Sequence, residues 1–161
     1  MGILPEDIVN SRYILLWGSN PLNTNPHVWP FVEEARRRGA RLVVIDPLKS
    51  ESAEKADWHL QPLPGTDAAL ALGMMHVIVT ESLHDTDYVA HHTVGFEKLR
   101  ERLKQYPVSR VAKITGLPEV DIKELARSYA KARPSTIRLW WEWSIGRTVR
   151  WHFAQSHACR H

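Results

Sequence analysis

The chain has 161 residues, 43 % of them hydrophobic and 24 % charged, which is the composition of a globular protein large enough to bury one ordinary core. No apolar run approaches the ~20 residues that cross a bilayer, so we expect no membrane contact. The first ten residues carry two acids and no base, so we expect no secretory signal and a cytoplasmic location. The formal net charge is +3 at pH 7, but residues 140–161 supply +2 of it (three arginines against one glutamate), so no basic surface for nucleic acid is predicted.

The first third of the chain predicts a strand–helix–strand unit. Tyr13–Trp17 is a continuous apolar run, which is typical of a strand that is covered on both faces. Residues 27–40 follow as a helix, with Pro30 in its first turn and Gly39 at its carboxyl end. Residues 41–46 then predict a second buried strand, rich in β-branched side chains. This βαβ pattern predicts that the two strands pair in parallel.

The rest of the chain predicts more helices and two more strands. Residues 47–57 are a polar connection with one helical turn, and residues 58–64 are a short extended segment. Helices are then predicted over residues 65–83, 85–91, 95–106, 107–116 and 117–133. In the last of them, three side chains are expected to face inward: Val120, Leu125 and Tyr129. Residues 135–139 predict a last strand, so the predicted class is α/β, a Rossmann-like parallel-sheet subdomain with extra helices over residues 1–139.

Three polar segments lie where an α/β sheet presents loops to a ligand. Residues 17–24 follow the first strand, and Gly18 among them allows a ligand to approach the backbone closely. The side chains in this segment that can donate hydrogen bonds are Ser19, Asn20, Asn23 and Thr24. Residues 46–50 follow the second strand and offer a carboxylate, an amine and a hydroxyl. Residues 64–67 open a helix, whose N–H groups favour an anion and whose Asp67 can instead accept from a guanine edge. Each segment alone is an ordinary turn or cap sequence. Together they favour a nucleotide-shaped ligand, although the G-x-G-x-x-G fingerprint is absent.

Four stretches of this sequence resemble the molybdopterin-dependent oxidoreductases of the dimethyl sulfoxide reductase superfamily: ILLWGSNP, GARLVVIDP, SAEKADWHLQPLPGTDAALALGMMHVIV and ITGLPEVDIKELARSYA. The resemblance runs in order over about residues 5–139. It implies a molybdopterin guanine dinucleotide cofactor carrying molybdenum or tungsten, with the pyrophosphate near the first loop and the guanosine near the other two. The cofactor contacts that it implies are Gly18, Ser19, Asn20, Asp46, Pro47, Lys49, Ser50, Gly65, Thr66 and Asp67. One departure is Leu48, where the family usually has arginine; Lys49 can supply a charge in its place.

The resemblance also implies parts that this chain lacks. In the family, an iron–sulfur cluster is often bound by four cysteines of an N-terminal region, and a Ser, Cys, selenocysteine or Asp residue ligates the metal. Neither is identified in this sequence, so no catalytic residue and no metal ligand is assigned. We expect a cofactor-binding fragment of a two-electron or oxygen-atom-transfer enzyme, inactive alone, whose partners are the molybdenum cofactor and the remaining domains of the parent enzyme. Two alternatives stay open, a stand-alone nucleotide-binding module and a truncated gene product without activity.

The last 22 residues do not match the rest of the chain in composition. Residues 140–161 hold four of the seven tryptophans, three histidines and the single cysteine, Cys159, which excludes an internal disulfide. His157, Cys159 and His161 are all metal-ligand types, but their alternate spacing does not match structural zinc sites. We therefore predict that this atypical tail is either translated out of frame or disordered.

Overall fold

The computed structural model describes residues 4–139, which divide into two compact units. The first unit contains residues 4–61 and 132–139, and the second contains residues 62–131. The atypical tail, with its predicted out-of-frame origin or disorder, lies outside the described residues. None of the described helices has the length and apolarity that crossing a membrane requires.

The first unit is built on an all-parallel sheet, which has four strands within the described residues. These are β1 (Tyr13–Trp17), β2 (Arg41–Ile45), β3 (Trp58–Leu60) and β4 (Ser135–Leu139), and they lie in the order β3-β2-β1-β4. The same order is found in the first four strands of a doubly wound α/β sheet. Every residue of β1 is buried, as its unbroken apolar run predicts. The predicted α/β class with a parallel sheet is confirmed.

Short helices flank this sheet. They are a 3-10 helix (Pro5–Asn10), α1 (Pro21–Thr24), α2 (Trp29–Arg37) and α3 (Glu51–Glu54). One face of the sheet contributes alternate residues of β1 and β2 to a buried cluster with α2, because successive strand side chains point to opposite faces. The members of this cluster include Ile14, Leu16, Leu42, Val44, Trp29, Val32 and Ala35. One layer of the core of the first unit therefore lies between this face of the sheet and α2.

The second unit is helical. It contains α4 (Asp67–Thr80), α5 (Thr86–His92), α6 (Phe96–Leu103), α7 (Val108–Thr115) and α8 (Glu119–Lys131), and α4 packs against α6, α7 and α8. Gly73 of α4 allows the close approach of α7, since a Cβ at this position would lie 2.8 Å from Cγ1 of Val111. His76 of α4 donates from Nδ1 to the carbonyl oxygen of Leu103 at 2.9 Å, which ties α4 to the end of α6.

The prediction that Val120 of α8 faces the core is wrong. Val120 is 70 % exposed, whereas Leu125 is buried and Tyr129 is half-buried. The buried stripe contains Ile122, Leu125 and Ala126, at the spacing of three to four residues that one helix face requires. Val120 lies two residues before Ile122 and so points about 160° away from it around the helix.

Candidate functional site

The first two predicted loops begin at neighbouring strand ends. In the parallel register, Trp17 at the end of β1 pairs with Ile45 at the end of β2. The pairing continues one residue further, because the N–H of Gly18 donates to the carbonyl oxygen of Ile45 at 2.8 Å. Both loops therefore leave the carboxyl edge of the sheet, which is where open α/β sheets bind their ligands.

Gly18 and Ser19 form the turn that leaves β1. Gly18 has a φ of +56°, in the left-handed region that glycine enters without steric cost. Ser19 is only 2 % exposed, and its Oγ has no hydrogen-bond partner among residues 4–139. A buried hydroxyl that lacks a partner costs about 1–3 kcal/mol and is rare in protein interiors. The turn thus holds a polar group whose hydrogen bond a ligand atom can complete.

Asn20 closes the first loop from two sides. Its backbone carbonyl accepts from the N–H groups of Asn23 at 3.1 Å and Thr24 at 3.0 Å, and from the Thr24 hydroxyl at 2.9 Å. Its side-chain Oδ1 accepts from the hydroxyl of Ser52 at 2.6 Å and from the Ser52 N–H at 3.3 Å. Because a backbone N–H can only donate, the atom that faces Ser52 is Oδ1. The amine Nδ2 is then the donor that Asn20 keeps for other partners.

The start of the second loop is held by residues at the end of β3. His59 donates from Nε2 to the carbonyl oxygen of Asp46 at 2.9 Å, and Gln61 donates from Nε2 to that of Pro47 at 3.1 Å. The Asp46 carboxylate accepts the N–H of Leu48 through Oδ1 at 2.8 Å, as in an Asx turn. This arrangement leaves Oδ2 of Asp46 able to accept from a ligand.

The rest of the second loop presents one cation and one hydroxyl. Lys49 is exposed and forms no ion pair with any described residue. Ser50 caps α3, since its Oγ accepts the N–H of Ala53 at 3.3 Å, and its hydroxyl hydrogen remains able to donate. Leu48, which lies between Asp46 and Lys49 in the sequence, is 75 % exposed. An apolar side chain therefore lies at the surface where the family resemblance implies an arginine.

The third predicted loop belongs to the second unit. Gly65 has a φ of +77°, and Thr66 is the N-cap residue of α4. The Thr66 hydroxyl does not cap the helix; it donates to the carbonyl oxygen of Leu63 at 2.6 Å. Thr66 therefore keeps acceptor capacity only, which suits a ribose hydroxyl or a guanine N–H better than a phosphate. The N–H of Leu63 in turn donates to the carbonyl oxygen of Thr115 at 2.8 Å, which anchors this loop to α7.

The structure thus places seven of the predicted site residues at one sheet edge of the first unit: Gly18, Ser19, Asn20, Asp46, Pro47, Lys49 and Ser50. It places the other three, Gly65, Thr66 and Asp67, at the start of α4 in the second unit. Sequence reasoning missed the residues that hold the first two loops in shape, namely Ser52, His59 and Gln61. Ser52 lies in the segment predicted as a polar connection, and His59 and Gln61 lie in the segment predicted as extended, so only their polar character was available in the sequence as a signal.

Comparisons with known proteins identify what this chain is similar to. The family model described as molybdopterin oxidoreductase matches residues 4–141. A probable oxidoreductase of Bacillus subtilis, YoaE, is 44 % identical over 138 residues, which are 86 % of this chain and 20 % of that protein. Formate dehydrogenase H of Escherichia coli is 39 % identical over 135 residues, which are 84 % of this chain and 19 % of the enzyme.

A solved structure is similar as well. Acetylene hydratase from Pelobacter acetylenicus superimposes with a TM-score of 0.72 and 38 % sequence identity, over 79 % of this chain and 18 % of the hydratase. The chain therefore spans about a fifth of the length of the relatives it matches. The names of these relatives describe different reactions, so the similarity does not indicate a substrate.

Proposed function

The chain belongs to the molybdopterin oxidoreductase family, and from that premise we propose that it binds the pyrophosphate and guanosine of molybdopterin guanine dinucleotide. When bound, this cofactor supplies a molybdenum or tungsten centre for two-electron redox or oxygen-atom transfer in the whole parent enzyme. The role of residues 4–139 is to bind and orient the dinucleotide. Substrate binding and catalysis are assigned to the remaining domains of the parent, together with any iron–sulfur cluster in its N-terminal part.

The observation that carries the proposal is the buried hydroxyl of Ser19. Its Oγ lies in the turn after the central strand β1 and has no partner among residues 4–139. A phosphate oxygen is a strong, charged acceptor, and a hydrogen bond to a charged group contributes about 1.5–3 kcal/mol. The residues beside it fit the same ligand, because Gly18 has no side chain to block approach to the turn and Asn20 retains its Nδ2 donor. The first loop is therefore assigned to the pyrophosphate.

The second loop fits the nucleoside end of the dinucleotide. Asp46 keeps Oδ2 as an acceptor for a ribose hydroxyl or a guanine N–H, while Oδ1 fixes the turn through Leu48. Lys49 and the Ser50 hydroxyl can both donate to an anion, and Lys49 supplies the positive charge that Leu48 does not. Pro47 contributes shape, because Gln61 holds its carbonyl oxygen in place.

The third loop is assigned to guanine. Gly65 supplies a left-handed turn in which an added Cβ would meet nothing within 4 Å, so the loop surface is open there. Thr66 offers an acceptor, and a carboxylate such as that of Asp67 can accept two N–H groups from one guanine edge. All three residues belong to the second unit.

The test is equilibrium binding to the full 161-residue chain under anoxic conditions. Molybdopterin guanine dinucleotide released from a purified molybdenum enzyme and GDP are titrated separately by calorimetry, with wild type and Ser19→Ala. We expect the pterin dinucleotide to bind and GDP to bind no more tightly, because GDP carries the same pyrophosphate and guanosine. Ser19→Ala should weaken the binding of both ligands about ten- to hundredfold, from the lost charged hydrogen bond. Tighter binding of GDP than of the pterin dinucleotide would instead favour a stand-alone nucleotide-binding module. Binding of neither ligand would refute the cofactor assignment.

A further inference from the structure

A buried serine outside the predicted site connects the first loop to the second. Ser52 lies in α3, immediately after the second loop, and is 0 % exposed. Its hydroxyl donates to Oδ1 of Asn20 at 2.6 Å and accepts the N–H of Leu22 at 3.3 Å. Its own N–H donates to the same Oδ1 at 3.3 Å. Three hydrogen bonds thus join two segments about thirty residues apart in the sequence.

These contacts use the hydroxyl hydrogen of Ser52, one of its two lone pairs and its backbone N–H. The single hydroxyl hydrogen goes to Asn20 and a lone pair receives Leu22, so the loop is bound both through a side chain and through its backbone. The Ser52 N–H is one of the first N–H groups of α3, which have no acceptor within the helix. The side chain of Asn20 therefore connects the first loop to α3 through its hydrogen bonds with Ser52.

From this geometry we infer that Ser52 is a positioning residue for the dinucleotide: it sets the direction of the Asn20 amine and the shape of the Ser19 turn without touching the ligand. The inference rests on the proposed function for the identity of the ligand. Because Oδ1 is held by Ser52, rotation of the Asn20 amide is prevented and Nδ2 is presented in one direction. Ser19 directly precedes Asn20, so a displacement of Asn20 also changes the shape of the Ser19 turn.

The chain offers a matched control in the same unit. Ser11 precedes β1, is 6 % exposed, and shares a hydrogen bond of 2.5 Å with the hydroxyl of Thr136 in β4. This pair lies toward the amino ends of the strands, at the opposite edge of the sheet from the loops. Ser11→Ala therefore removes a buried, paired serine hydroxyl, as Ser52→Ala does, but at a distance from the proposed ligand.

The experiment combines two measurements on wild type, Ser52→Ala, Ser52→Thr and Ser11→Ala in the full chain. Backbone hydrogen exchange is followed at residues 19–24, and affinity for molybdopterin guanine dinucleotide is followed by calorimetry. We expect Ser52→Ala to speed exchange at the Leu22 amide by about tenfold or more and to weaken binding about five- to tenfold. Ser52→Thr, which keeps the hydroxyl, restores both, and Ser11→Ala changes neither.

Each result decides the inference. Unchanged exchange at residues 19–24 in Ser52→Ala overturns it, whatever the binding result. Faster exchange with a loss of affinity no larger than that of Ser11→Ala also overturns it, because the link then has a structural role only. If wild type binds no dinucleotide, the proposed function fails; the exchange data then still decide whether Ser52 holds the loop, and a positioning role for this ligand is rejected.

Discussion

Removal of the Ser19 hydroxyl is expected to stabilise the free protein and to weaken ligand binding. The side chain is 2 % exposed and its Oγ has no partner among residues 4–139, so most of its desolvation cost is uncompensated in the free protein. Relief of that cost by Ser19→Ala is worth about 1 kcal/mol or somewhat more. The void that replaces one oxygen atom, roughly 10 Å³, costs only about 0.2 kcal/mol. The expected net gain in the free energy of unfolding is therefore about 1 kcal/mol.

The assay is urea unfolding followed by tryptophan fluorescence. Within residues 4–139 all three tryptophans, Trp17, Trp29 and Trp58, lie in the first unit, so the part of the signal that comes from the two units reports the first. A gain of about 1 kcal/mol moves the urea midpoint up by about 0.5 M for a typical slope. Ser11→Ala serves as the comparison, because it leaves the buried Thr136 hydroxyl unpaired and is expected to lower the midpoint.

The opposite signs of the two Ser19 effects make the reasoning testable. A ligand-binding group that is uncompensated in the free protein should cost stability and contribute affinity. If Ser19→Ala lowers the free energy of unfolding by as much as Ser11→Ala does, the Ser19 hydroxyl is satisfied in solution. The turn would then be an ordinary buried turn, and the observation that carries the cofactor assignment would be lost.

Three further predictions concern other parts of the chain. Gly73→Ala should lower the free energy of unfolding by about 1 kcal/mol, because the added Cβ would overlap Val111. In a Val111→Ala background the same change should stabilise the protein by about 0.5–1 kcal/mol, because alanine has the higher helix propensity. A double-mutant cycle measured by urea unfolding tests both expectations. Lys49→Ala should weaken dinucleotide binding about two- to fivefold at low salt and much less at high salt. Calorimetric titrations at two ionic strengths measure this difference. A loss of affinity that does not depend on salt would contradict an electrostatic role for Lys49. The hydrogen bond and charge of Arg127 lower the pKa of Glu81 below its ordinary 4.5. Glu81→Gln should therefore reduce stability at pH 7, and its difference from wild type should vanish as the pH falls through that lowered pKa. A stability difference that persists in acid would refute this linkage.

The two central strands, β1 and β2, can be predicted because they are buried on both sides. An unbroken apolar run bounded by polar residues allows few interpretations, and the strand predicted at 13–17 has the same bounds in the structure. The strand predicted at 135–139 also has the same bounds, although only Thr136 in it is buried. The segment predicted at 58–64 as a short strand or an extended piece contains a strand only in its first part. Only Trp58–Leu60 is a strand, and Pro62 and Pro64, which lack the N–H that a ladder needs, follow it.

Helix faces are harder to predict than strand faces. The buried stripe of α8 depends on where the helix is rotated against its neighbours, and several apolar residues compete for it. The sequence pattern assigns Val120 to the core, but Ile122 occupies that face, and the rotation follows from packing against α4 and α7. A pattern of apolar residues alone does not fix this rotation.

The loops of the candidate site can be predicted from local chemistry, but their supports cannot. Gly18, Asp46 and Gly65 stand in turns that their residue types favour, and such turns can be recognised over three or four residues. Ser52, His59 and Gln61 act across 13 to 32 residues of sequence. Their partners are defined only once the strands have paired and α3 has packed, so no local pattern identifies them.

The most direct test of the central claim is hydrogen–deuterium exchange of the full chain with and without molybdopterin guanine dinucleotide. The account predicts slower exchange in three segments on binding, residues 18–20, 46–50 and 65–67, and protection of the same segments by GDP, which carries the same pyrophosphate and guanosine. Protection that is absent from residues 18–20 and 46–50 while the dinucleotide is bound would place the ligand elsewhere and contradict the account.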